Sequence, residues 1–229
     1  LTHSKKNFDI YSIFILSLII FLIHWFFQFY SFDDEIITKI LFGKQTEGQL
    51  YSYIKYLSTL SFDKAYNSEI SNLNNIPIPY GSLIFHSIFF SLFGDKGLVF
   101  IDFFGIYIFL LIFFYIFNNF TSREYALLFS VFLYILPYLI KLIFGDTFVY
   151  LTQLSNDFYN LRVHRAFPSG LYFFGFILTL LLMKKDNFVK KKHFIISGSL
   201  LGLQFSSFYY YFIISSIALC LFLIYENKF

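Results

Sequence analysis

The sequence predicts an all-α fold: a polytopic bundle of transmembrane helices with a long first outer loop that carries interfacial helices. Three observations lead there. Of 229 residues, 58% are hydrophobic and 14% charged, with a mean hydropathy of +0.66, whereas a soluble domain is about 45–50% apolar and about 25% charged. Several uncharged apolar runs reach or approach the roughly 20 residues that cross a bilayer as a helix. The lysines, finally, gather in short loops that a single topology places on one side. A soluble enzyme, a disordered chain and a disulfide scaffold are excluded, since Cys220 stands alone in an apolar run. The net charge of +3 is too small and too dispersed for a nucleic-acid partner.

Ile10 to Tyr30 carries no charge and follows Lys5 and Lys6, which predicts a first span (10–30) with a cytoplasmic N-terminus. Its length and aromatic content do not suit a signal peptide. Further spans are expected at about 97–118, 125–145, 170–183, 194–208 and 209–225. The last two form one apolar stretch, which is broken near Ser206, Ser207 and Tyr209 to Tyr211. Tyr80 to Gly94 is apolar but short, so a re-entrant or interfacial helix is expected there in preference to a crossing. The lysines decide the point. With Tyr80 to Gly94 not crossing, Lys5, Lys6, Arg123, the run Lys184, Lys185, Lys190, Lys191, Lys192 and Lys228 all lie on the cytoplasmic side. With it crossing, the densest run falls outside. Two outer segments follow, 31–96 and about 146–169, in an integral protein of a prokaryotic plasma membrane. The chain opens on Leu1 and stops at Phe229 just after an apolar run, so it is expected to be a single transmembrane domain forming the N-terminal part of a longer protein.

The first outer segment opens with Phe32-Asp33-Asp34-Glu35. Adjacent carboxylates at a membrane boundary raise each other's pKa and are stabilised by a cation or a proton-donating substrate; a solvated helix start with Asp33 as the cap is the structural alternative. Leu50, Ile54 and Leu57 share one helical face, as in a helix lying in the interface. Pro77 and Pro79 then set an extended lead-in to the short helix bearing His86, a residue to be weighed between a packed histidine and a substrate contact. The second outer segment holds Asp146, Asp157, Arg162, His164 and Arg165. Guanidinium matches phosphate and carboxylate oxygens bidentately, and outward-facing arginines run against the usual cytoplasmic bias, so a phosphate or carboxylate ligand is expected; headgroup anchoring is the alternative. Asp102 and Lys141, near the outer ends of the second and third spans, are expected to pair. No Walker loop, dinucleotide fingerprint, CxxC, HExxH or GxSxG occurs, so no cofactor is expected, and a divalent metal is left open.

The order of these features resembles the GT-C superfamily of membrane glycosyltransferases, which contains protein O-mannosyltransferases, lipid A aminoarabinose transferases and oligosaccharyltransferase catalytic subunits. One span is followed by an outer loop opening with an acidic pair, then by a proline-rich lead-in to a short helix ending "LFG". Here these are Asp34-Glu35, Pro77-Ile78-Pro79-Tyr80 and Leu92-Phe93-Gly94. Ser197-Gly198-Ser199-Leu200-Leu201-Gly202-Leu203 is similar to the "GLLLGL" stretch that opens a later span. The resemblance implies an inverting transferase. It would move a sugar from a polyprenyl-phosphate donor to a lipid, glycan or protein acceptor at the outer face. It further implies Asp34, with Glu35 beside it, as the catalytic pair and Asp34 as the base. Arg162 and Arg165 would then hold the leaving phosphate, with His164, Asp157 and His86 as further substrate contacts. The competing reading is a transporter or lipid-binding membrane protein with a polar outer cavity. The chain shows no internal repeat of the kind transporters use.

Overall fold

A computed structural model describes residues 2–31, 54–55, 57–59, 80–144, 166–185 and 191–225. All regular structure among them is helical. Seven principal helices are described: α1 (Thr2–Ser31), α2 (Tyr80–Phe93), α3 (Lys96–Phe117), α4 (Arg123–Phe144), α5 (Ala166–Lys185), α6 (Lys191–Ser207) and α7 (Tyr209–Tyr225). α3 is long and apolar enough to cross a membrane, with 22 residues and a mean hydropathy of 2.5; at 1.5 Å per residue it is about 33 Å long.

Local chemistry sets the helix ends. α3 stops at the polar pair Asn118-Asn119, where Asn118 N donates to Phe114 O at 2.8 Å and Asn119 Nδ2 donates to Tyr115 O at 2.6 Å, so carbonyls at the helix end find donors. α4 starts one residue after Ser122, whose carbonyl accepts from Ala126 N at 2.8 Å and whose hydroxyl donates to Glu124 Oε2 at 3.1 Å. Pro168 sits in the first turn of α5, where its missing N–H costs nothing. Phe208 alone separates α6 from α7, and its N–H still donates to Gln204 O at 2.8 Å.

Ring contacts give each helix its direction. Phe14 and Phe21 of α1 both meet Phe103, and Asp9 pairs with Arg123, so α1 runs antiparallel to α3. Phe109 against Tyr134 and Phe117 against Phe129 make α4 antiparallel to α3. Phe113 touches Phe174 and Gly175 faces Ile112, while Leu171, one turn earlier on α5, lines the same cleft as Phe104 and Ile108, earlier on α3, so α5 runs in the direction of α3. Ser197 donates to the Met183 sulfur at 3.9 Å and Gln204 Nε2 donates to Tyr172 O at 3.2 Å, so α6 returns antiparallel to α5. Tyr211 stacks on Phe173, while Ala218, Leu219 and Phe222 pack on the cluster of Phe176, Leu180 and Met183, so α7 follows α5. The six long helices therefore alternate in direction along the chain. One end, here the lower, gathers the residues Lys5, Lys6, Arg123, Lys184, Lys185, Lys191 and Lys192. The upper end holds Ser31, Gly94 and the start of α5.

α2 stands lengthwise beside the upper part of α3, with Phe93 meeting Phe100 and Phe89 meeting Phe104. Gly94 makes the reversal, with φ +61, a left-handed value that any side chain would oppose. The turn closes with Gly94 N to Phe90 O at 2.8 Å and Gly97 N to Gly94 O at 2.9 Å. At 14 residues α2 is about 21 Å long. It begins level with Tyr172 and Gln204 and ends at the upper rim.

Large apolar side chains face outward as well as inward, and several hydroxyls are buried. Tyr11, Ile15, Ile19 and Ile23 form an exposed apolar stripe along α1, and Ile213, Ile217, Leu221 and Ile224 do so along α7. Buried positions meanwhile include Ser17, Ser87, Ser130 and Thr179. Each of these hydroxyls donates to the carbonyl four residues back, at 2.7 to 2.9 Å, which satisfies a buried polar group without a partner helix. The central apolar cluster is built from Ile13, Ile106, Phe109, Leu110, Phe113, Phe114, Ala126 and Tyr134 on α1, α3 and α4.

Candidate functional site

A cleft of about 400 Å³ lies in the upper half of the bundle, between α2, α3, α5 and α6. α2 supplies Phe85, His86 and Phe89; α3 supplies Ile101, Phe104, Gly105, Ile108 and Ile112. α5 supplies Leu171, Tyr172 and Gly175, and α6 supplies Leu200 and Leu203. The local sequence explains the shape: on α3, residues 101, 104, 105, 108 and 112 recur at the three- and four-residue spacing of one helical face. Phe85, Phe104 and Ile108 remain 42%, 42% and 39% exposed. The cleft therefore opens sideways onto the apolar surface of the bundle.

Its polar features are few and lie toward one edge. The Tyr172 hydroxyl donates to Gly81 O at 2.6 Å, across 91 residues of sequence, and its ring tilts against Phe85 at 6.1 Å between centroids. Gln204, fully buried, donates from Nε2 to Tyr172 O. Together these bonds tie the first turn of α2 to α5 and α6. The approach is close: a Cβ on Gly81 would fall 2.7 Å from Leu203 O and closer still to Ser206 Oγ, so glycine is required there. His86 is 2% exposed and lines the cleft one turn farther along α2.

Of the residues singled out from the sequence, His86 is the site residue the structure describes, and it belongs to the cleft. Asp34, Glu35, Asp157, Arg162, His164 and Arg165 lie outside the described residues. Asp102, at 2% exposure, is buried on α3. Lys141 falls level with it, each lying seven residues from the Phe109–Tyr134 contact in the antiparallel pair, while the Lys141 side chain lies outside the described set. Tyr172, Gly175 and Gln204 were not anticipated. The legible signal was weak: Gly105 and Gly175 interrupt two long apolar runs, and Gln204 is a lone amide in another.

At the lower end a second hollow of about 200 Å³ is lined by Asp9, Ser12, Phe114, Arg123, Glu124 and Leu127. The Asp9–Arg123 ion pair crosses it and clamps the start of α1 to the start of α4. Among the described residues no group of three His, Cys, Asp or Glu side chains could hold a metal ion. The described lining of the upper cleft can do one thing well, which is to accommodate hydrocarbon: aromatic and aliphatic walls bury apolar surface at about 25 cal/mol per Å². No family model, curated protein or solved structure matches this chain.

Proposed function

We propose that the chain is a polytopic membrane glycosyltransferase of the GT-C kind, which transfers a sugar from a polyprenyl-phosphate donor to an acceptor at the outer face. The observation that carries the reading is the position of the apolar cleft. It opens sideways at the end of the bundle from which both polar segments depart: Ser31 closes α1 just before Asp33-Asp34-Glu35, and Ala166 opens α5 immediately after Arg165. A lipid-linked sugar needs a hydrocarbon slot for its tail together with carboxylates and guanidinium groups for its headgroup, and the two departing segments carry those groups in their sequence. In this reading α1 and α3 to α7 cross the bilayer, and α2 is a re-entrant helix that returns to the outer rim. Asp34 takes the acceptor's proton, and Arg162 and Arg165 stabilise the charge that develops on the leaving phosphate. His86 closes the wall of the tail slot. The exposed apolar stripes and the back-bonded buried hydroxyls support burial in lipid, where every polar group must be satisfied internally.

The gathering of cations at the lower end supports a cytoplasmic placement of that end. Single cysteines in a Cys220→Ser background test it. Asp95 and Lys185 are exposed at opposite ends of the bundle, and a membrane-impermeant maleimide added to intact cells is expected to label Asp95→Cys and to reach Lys185→Cys after permeabilisation alone. The reverse pattern would overturn the topology and, with it, the outer site. Ser169 is fully buried and would be a misleading probe.

The arginines are tested by donor kinetics. Loss of a charge-assisted hydrogen bond is worth about 1.5–3 kcal/mol, so Arg165→Gln is expected to reduce kcat/KM for the donor by about tenfold or more, at unchanged thermal stability. Wild-type turnover in that variant would make both arginines headgroup anchors.

A further inference from the structure

We propose that Gly175 is a specificity-determining residue that sets how much hydrocarbon the upper cleft admits, and that the chain it gauges is the methyl-branched isoprenoid tail of a polyprenyl phosphate. The inference rests on the donor reading above for the identity of the tail; the geometry at Gly175 stands by itself.

Gly81, Gly97, Gly105 and Gly175 border this region, and the first two are demanded by packing. A Cβ on Gly81 would strike the backbone of α6, and one on Gly97 would strike the Phe89 carbonyl group, 2.6 Å from its carbon. Gly175 differs. The nearest atoms a Cβ would meet there are Leu200 Cδ1 at 3.7 Å, Ile112 Cδ1 at 3.8 Å and Leu200 Cδ2 at 3.8 Å, all ordinary van der Waals contacts with side-chain tips. Its backbone needs no glycine either, since Gly94 is the positive-φ glycine among the described residues. The helix is intact at this point, with Thr179 Oγ1 donating to Gly175 O at 2.8 Å. Alanine would be the better helix former. What glycine leaves at this position is space, and the space belongs to the cleft.

That space has the form of a chain slot. Gly175 and Gly105 both border it without side chains, and Phe85 and Phe104 flank its lateral mouth. A slot hollowed at two glycines has room for methyl branches, which a slot lined by leucines at the same positions would reject. A one-sided apolar mouth on an apolar surface admits a chain sliding in from a bilayer. Each side-chain carbon added at 175 subtracts directly from the volume, because the neighbouring tips are already in contact range.

The test uses the full chain in lipid nanodiscs with a diazirine-bearing polyprenyl phosphate, the cross-links being mapped to peptides by mass spectrometry. Cross-links are expected on the α2, α3 and α5 segments that line the cleft. Gly175→Leu is expected to reduce them about tenfold, the scale of an overpacked site, and Gly175→Ala by an intermediate factor. Gly198→Leu, the same change where no heavy atom lies within 4 Å, should label as wild type. Unlabelled polyprenyl phosphate should compete, and dioleoyl phosphatidic acid at equal concentration should not. Undiminished labelling in Gly175→Leu, in protein that melts as wild type, overturns the gauge; so does equal competition by phosphatidic acid, which would make the slot a general acyl-chain site. Gly175→Ala keeps the question decidable if the leucine variant folds poorly. Failure of the transferase reading is seen separately, as absence of sugar transfer by the wild-type chain while Gly175-dependent labelling persists.

Discussion

Replacing Asp34 with Asn is expected to abolish transfer, lowering kcat by about 10²- to 10⁴-fold, the usual contribution of a general base. The substitution keeps the size of the side chain and its ability to accept a hydrogen bond, and removes the charge that, in the proposed transfer, receives the acceptor's proton. Insertion and donor cross-linking should be unaffected, since the tail slot is formed by α2, α3, α5 and α6. The neighbours in the triplet act as internal controls. Asp33 suits a helix cap, so Asp33→Asn or Asp33→Ala should cost about 1 kcal/mol of stability and little chemistry. Glu35 follows one residue later in the sequence. Turnover measured with a lipid-linked donor across the three variants decides the assignment: equal activity in Asp34→Asn and Asp33→Asn would return the triplet to a solvated cap.

The largest structural effect is expected at Gly97. The α2–α3 hairpin turns through Gly94 and Asp95, and the two helices are so close that a Cβ on Gly97 would lie 2.6 Å from the Phe89 carbonyl carbon and 3.1 Å from Phe90 N. Both are backbone atoms, so no side chain can swing aside. Gly97→Ala is therefore expected to cost about 3 kcal/mol, the upper end of overpacking, because it must part the helices or break the turn. Gly94→Ala should cost about 1–2 kcal/mol, the penalty for a left-handed residue, as open space surrounds that position. Gly175→Ala should be neutral or stabilising by up to about 1 kcal/mol. Unfolding midpoints in mixed micelles give this ranking, and a Gly97→Ala midpoint equal to that of Gly175→Ala would mean that the hairpin is not closely packed.

His86 and Asp102 were legible because each is a lone titratable group in an apolar run, and burying such a group has consequences wherever it occurs. Their surroundings were not legible. α3 is apolar nearly all round, so periodicity could not say which face turns to α1, to α4 or to the cleft. The glycines posed the same difficulty. In the sequence Gly81, Gly97 and Gly175 are alike; in the structure two are contact points between backbones and the third is a space.

What the sequence determined by itself, among the described residues, was where the helices run. Long uncharged runs bounded by lysine, asparagine or proline satisfy their backbone groups within one segment when they are helical, and that requirement is local. The tertiary structure alone decided the posture of α2. Its shortness, together with the lysine count, left open whether it would lie flat or dip, and packing set it along α3: Phe93 on Phe100 across the turn at one end and, from residues remote in sequence, Tyr172 and the α6 backbone on Gly81 at the other. The cleft follows from that choice. It exists because a 14-residue helix is held against three longer ones, and a hydrogen bond spanning 91 residues is a fact of packing that no local pattern encodes.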